Sequence, residues 1–62
     1  MGVMELVERL RGMFLEVPGT RLSVAQAARL AGLEPSICRR VLDELTALRV
    51  LKAGKDGTFM LR

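Results

Sequence analysis

The chain has no histidine, no tyrosine and no tryptophan, a single cysteine and only two aromatic residues, both Phe. Each scarcity removes a class of chemistry. Without His or Tyr, with one thiol expected inside the core and no paired carboxylates in a plausible cleft, there is little to act as general base or nucleophile, and an enzyme is not expected. Cys38 alone rules out an internal disulfide and suits a reducing compartment. A structural zinc site of the usual kind lacks its ligands, so no metal and no cofactor are expected. Two phenylalanines are too few to stack the bases of a single-stranded nucleic acid. No apolar run approaches the roughly 20 residues of a membrane span, and Glu5 and Glu8 stand where a signal peptide would be basic. The expectation is a cytoplasmic chain with no membrane partner.

What remains is a short, apolar and basic sequence. Half of its 62 residues are hydrophobic, and a chain of that length makes one domain, residues 1–62, burying only about 60% of the surface its unfolded state exposes. Its core must be built from Leu, Val, Ala and Met, and a second subunit would help so thin a core. The charge is uneven. Residues 1–20 set two arginines against three glutamates, a net charge of −1, whereas residues 21–62 set eight basic side chains against four acidic ones, a net charge of +4. A basic second part is the footprint of a phosphate-facing surface, although solubility alone accounts for a charge of this size.

Val3, Val7, Leu10, Phe14 and Val17 recur at steps of four and three, with Leu6 and Met13 widening the stripe, so residues 3–16 read as an amphipathic helix stopped by Pro18 and Gly19. Glu5, Glu8, Arg9, Gly12 and Glu16 fall on the opposite face. Met4 and Leu15 lie at the edge of the stripe, either as scattered surface apolar residues or as a dimer contact. Thr20, Arg21 and Leu22 form a short candidate strand. Ser23 and Gln26 have the spacing of a capping box, opening an alanine-rich helix over residues 24–31 that Gly32 ends in the left-handed conformation. Pro35 suits the first position of the next helix, expected over residues 35–48, with Cys38, Val41, Leu42, Leu45 and Leu48 on its buried face, Ile37 beside them, and Ser36, Arg39, Arg40 and Asp43 turned outward.

Residues 50–61 read as a hairpin. A two-residue Asp56-Gly57 turn would mix polar and apolar residues on both faces. A three-residue loop, Lys55-Asp56-Gly57, instead pairs Ala53 with Phe59 and Leu51 with Leu61, gathering these four on one face and leaving Lys52, Thr58 and Met60 outside. The fold class expected is α+β, mainly α: three helices, a short strand between the first two, and a C-terminal hairpin.

That order resembles a winged helix-turn-helix domain, and the resemblance extends to residues. Ala28 and Gly32 are similar to the small residue and turn glycine of the helix-turn-helix signature, with Ala27, Ala31, Leu33, Cys38 and Val41 at its buried positions. "LEPSICRRVLDEL" resembles the recognition helix of MarR-like and related bacterial and archaeal transcriptional regulators, and "LRVLKAGKDGTFML" resembles their wing. The resemblance implies double-stranded DNA as partner, the third helix in the major groove and the wing near the backbone. It implies contacts from Ser36, Arg39 and Arg40, phosphate contacts from Lys55 and Lys52, and further ones from Arg29 and Arg21. It also implies a nucleoid-associated homodimer on two half-sites, and the surplus apolar residues of the first helix, Met4 and Leu15, are its expected contact.

Other readings stay open beside it. Arg39 with Asp43, and Arg40 with Glu44, are opposite charges at i, i+4, so both arginines could simply decorate a solvated helix. Glu34 stands at the N-cap of the third helix, where the family more often has Ser, Thr or Asp, and with Asp43 and Glu44 it brings negative charge to the DNA-facing element. A winged helix that binds a protein partner instead of DNA is therefore the alternative function.

Overall fold

A computed structural model describes residues 2–16 and 19–62. Val17 and Pro18, expected to close the apolar stripe and stop the first helix, lie outside the described residues. Three helices, α1 (Val3–Glu16), α2 (Val24–Ala31) and α3 (Pro35–Ala47), pack with three strands, β1 (Leu22–Ser23), β2 (Leu51–Ala53) and β3 (Thr58–Leu61). The strands form an antiparallel sheet of order β1-β3-β2. The domain is α+β and mainly helical, a layout compatible with a winged helix.

Local chemistry sets most of these boundaries. The Ser23 hydroxyl accepts a hydrogen bond from the Gln26 amide at 3.2 Å, while the Gln26 side chain accepts one from the Ser23 amide at 2.9 Å, closing the capping box of α2. Gly32 ends α2 at φ 69°, a left-handed conformation that a side chain would resist, and the next amide, of Leu33, bonds the Ala28 carbonyl at 2.9 Å. Pro35 opens α3 where its missing N–H costs nothing. In the hairpin, Leu51 pairs with Leu61 and Ala53 with Phe59, the register of the three-residue loop, with Gly57 left-handed at φ 81°.

The core forms where these elements meet. Val7, Leu10 and Phe14 of α1 are buried against Ala27, Ala28 and Ala31 of α2 and against Cys38, Val41, Leu42 and Leu45 of α3. Leu22, Leu51 and Phe59 close it from the sheet. The small side chains on α2 let the neighbouring helices approach closely, and burial raises the pKa of the Cys38 thiol, which acts as a small apolar residue. Arg9, on the outer face of α1, donates from Nη1 to the Ala31 carbonyl at 3.4 Å, placing a cation at the C-terminus of α2, where the helix dipole favours it.

Several expectations fail, most of them at the end of an element. Val3 continues the α1 stripe but remains 64% exposed, because the first turn of α1 extends past the core. Leu48 is 60% exposed rather than buried: it is the C-cap of α3, and the chain reverses there so that Val50 and Leu51 turn inward in its place. Ala53 is exposed although it shares a face with Leu51 and pairs with the buried Phe59, since it is the last residue of β2, an edge strand of the sheet. The first strand is Leu22–Ser23 instead of Thr20 to Leu22, because pairing Leu22 with Phe59 puts two core side chains opposite each other. Met60, expected outside, is half-buried on the outer face of the sheet.

The reversal after α3 has the form of a Schellman motif. The Arg49 amide bonds the Thr46 carbonyl at 3.0 Å, and the Val50 amide bonds the Leu45 carbonyl at 2.9 Å. Arg49 itself sits at φ 64°, where an L side chain crowds its own backbone. Arg49→Gly is expected to stabilise the domain by about 0.5–1 kcal/mol, after allowing for the favourable arginine–dipole interaction that is lost. Thermal unfolding should move up by a few degrees, and a midpoint that falls would show that the arginine side chain holds the turn.

Candidate nucleic-acid interface

At about 100° per residue, the outward positions of α3 fall on one arc opposite Cys38, Leu42 and Leu45. Ser36, Arg39, Arg40 and Asp43 occupy that arc, and all four are exposed. Arg39 stands on one flank, with Nε 3.8 Å from the Asp43 carboxylate, a long and solvated ion pair worth a few tenths of a kcal/mol, roughly. Arg40 stands on the other flank. Among the described residues, the ion pairs within 4 Å are Glu8–Arg11 and Arg39–Asp43, so the expected Arg40–Glu44 pair is not closed. Arg40 and Glu44 instead line a shallow groove between α1 and α3 whose floor is Val3, Leu6, Ile37 and Val41. Ser36 lies between the two arginines in the first turn of α3, at an N-terminus that Glu34 does not cap with its side chain.

The second cluster is on the sheet. Leu22 pairs with Phe59, which sets Arg21 beside Met60, and Lys52 pairs directly with Met60 across the other ladder. Side chains alternate along a strand, so Arg21, Met60 and Lys52 form a row across the outer face, away from the core. Lys55 extends this row toward the hairpin tip, and all three cations line one shallow concavity with Gly54, Asp56 and Thr58.

The tip is organised by Asp56. Its Oδ1 accepts hydrogen bonds from the Thr58 hydroxyl at 2.6 Å and the Thr58 amide at 3.2 Å, forming an Asx turn. These bonds, with a smaller contribution from the charge of Arg21, hold the Asp56 carboxyl below its usual pKa. A side chain at position 54 would put its Cβ 2.8 Å from that same oxygen, so Gly54 leaves the space in which the turn closes. Three cations against one carboxylate leave this surface net positive.

The sequence-based candidates therefore divide into two groups. Ser36, Arg39 and Arg40 come together on α3, and Arg21, Lys52 and Lys55 come together on the outer face of the sheet. Arg29 is exposed in the last turn of α2, where the helix dipole already accounts for a cation. Two features escape sequence reasoning. The row through Met60 depends on where β1 begins, and only the pairing of Leu22 with Phe59 reveals it. The left-handed Arg49 follows a helical apolar pattern without any turn residue to announce it.

No helix among the described residues is long and apolar enough to cross a membrane. No protein-family model matches the chain, and neither a curated protein nor a solved structure matches it significantly.

Proposed function

We propose that the chain is a winged helix-turn-helix module that binds double-stranded DNA, with α3 in the major groove and the β2–β3 hairpin as a wing against the backbone, in the service of transcription regulation. The observation that carries this reading is the convergence of Arg21, Lys52 and Lys55 on one outward face of the sheet. Lysines and arginines at a hairpin tip can be there for solubility alone. A cationic row drawn from the residue before β1, from β2 and from the hairpin loop, on the same domain as an arginine-bearing exposed helix face, suits a phosphate backbone better. Arg39 and Arg40 supply planar donors able to bond the paired acceptors of guanine or to grip phosphate. A module with this activity would act at the nucleoid.

The test is fluorescence anisotropy with a labelled random-sequence duplex across a salt series. Micromolar binding is expected, with log affinity falling linearly against log salt at about 0.9 per phosphate contact. A folded protein that fails to bind at low salt would refute DNA binding.

One observation favours a second reading, a protein-interaction module. The groove between α1 and α3 has an apolar floor of Val3, Leu6, Ile37 and Val41, edged by Arg40 and Glu44, a surface suited to a peptide with apolar anchors. In that case duplex binding would be absent while α3 remained functional.

A further inference from the structure

We infer that Asp43 sets what α3 reads: its carboxylate holds Arg39 for a base edge instead of a phosphate and makes the domain selective for G·C pairs. This role rests on the DNA-binding reading above and adds to it the base pair that is chosen. A carboxylate on an arc that faces phosphates calls for a physical reason. Asp43 lies one turn beyond Arg39 on the outward arc of α3, and their side chains are 59% and 68% exposed, so a duplex that meets one meets the other. The Asp43 Oδ2 stands 3.8 Å from Arg39 Nε.

The pair as a whole carries no net charge, whereas phosphate affinity comes from positive charge that displaces counterions. A phosphate seated on Arg39 would also meet the Asp43 carboxylate, which makes Arg39 a poor backbone anchor. Base edges in the major groove carry no formal charge and are read by their pattern of donors and acceptors, and there the pair is well suited. The contact runs to Nε, which leaves the terminal nitrogens Nη1 and Nη2 free of Asp43 to donate to guanine O6 and N7, while the carboxylate restricts a long, flexible side chain. Weak while solvated, the ion pair strengthens when the groove excludes water and the effective dielectric falls. Arg40 differs: among the described residues no carboxylate lies within 4 Å of it, so its charge remains for phosphate. Two adjacent arginines thus take separate tasks, base reading by Arg39 and backbone contact by Arg40, and Asp43 is the positioning residue that separates them.

Selection of wild-type binders from a random duplex pool, with sequencing of the bound fraction, is expected to return sites that share a fixed G·C pair. Fluorescence anisotropy then compares the selected duplex with one in which that pair is A·T, and the wild type should prefer the G·C duplex by about tenfold or more. Asp43→Ala should bring the preference below about threefold. It should nevertheless bind random-sequence duplex more tightly than the wild type, because a negative charge has left the interface. A carboxylate that only decorates the helix would change affinity without changing the preference. Arg39→Ala should also lose the preference, and Arg39→Ala/Asp43→Ala should lose no more of it than Arg39→Ala does, since the two side chains act as a unit. Circular dichroism checks that each variant keeps its helices. A wild type that binds duplexes without preferring G·C, an Asp43→Ala variant that keeps the preference, or a double variant whose losses add would overturn the role of Asp43 and leave DNA binding standing. A folded wild type that binds no duplex at low salt would remove DNA binding and this role together.

Discussion

Phe14→Ala is expected to unfold most of the domain at moderate temperature. Phe14 is the largest fully buried side chain, seated where α1 meets the rest of the core. Truncating a buried phenylalanine removes its transfer free energy and leaves a cavity that neighbours only partly fill, a cost of about 3–5 kcal/mol. A domain of this length has a total stability of roughly 3–9 kcal/mol. The loss is therefore comparable to the whole, and among the described residues the buried side chains form a single cluster. Thermal unfolding followed by circular dichroism, at one fixed protein concentration, should show the midpoint falling by more than about 12 °C, or no folded baseline at all. Val3→Ala, on the same stripe, should shift it by a degree or two at most. Equal effects at the two positions would mean that α1 packs differently from the arrangement described here.

The contrast between Phe14 and Val3 shows what the sequence can and cannot convey. Both satisfy the same periodicity, and the pattern carries no information about where a helix outruns the elements it packs against. Leu48 fails for the same reason at the end of α3, and Ala53 because it ends an edge strand. Interactions that close within a few residues are legible: Ser23 with Gln26, Gly32 after Ala31, Pro35 at the start of α3, and the Lys55-Asp56-Gly57 loop that sets the hairpin register. Each depends on local backbone chemistry and needs no knowledge of the rest of the chain. The start of β1 is not legible, because residues 20–23 carry little alternation and their register comes from Phe59, a residue 36 to 39 positions away in the sequence.

The candidate interface divides along the same line. Ser36, Arg39 and Arg40 are found from helical spacing alone, since once α3 is placed its outward arc follows. Lys52 and Lys55 are found from the hairpin register. What binds Arg21 to them is the second ladder, β1 with β3, and with it comes the conclusion that three cations from distant parts of the chain share one face. That conclusion turns a general excess of positive charge into a located surface, and it separates the expected consequences of mutation on the sheet from those on α3.

The triple variant Arg21→Ala/Lys52→Ala/Lys55→Ala is expected to lose duplex binding by roughly 100-fold at moderate salt, since three charge-assisted phosphate contacts at about 1 kcal/mol each amount to about 3 kcal/mol. Its more specific signature is the salt dependence. Each contact removed lowers the slope of log affinity against log salt by about 0.9, so the slope of the triple variant should be shallower by nearly 3. The loss should be uniform across duplex sequences, because phosphate contacts position a protein without reading bases. Arg39→Ala/Arg40→Ala should behave differently: if these guanidiniums reach base edges, the variant loses discrimination between sequences by about 1–3 kcal/mol per contacted pair. All five side chains are exposed, and among the described residues the ion pair within 4 Å that is removed is the solvated one to Asp43, so both variants should keep the wild-type thermal midpoint within a few degrees. A triple variant with an unchanged slope would remove the sheet face from the interface. If the α3 variant also bound like the wild type, neither surface would touch the duplex, and the groove between α1 and α3 would become the surface to test against peptides.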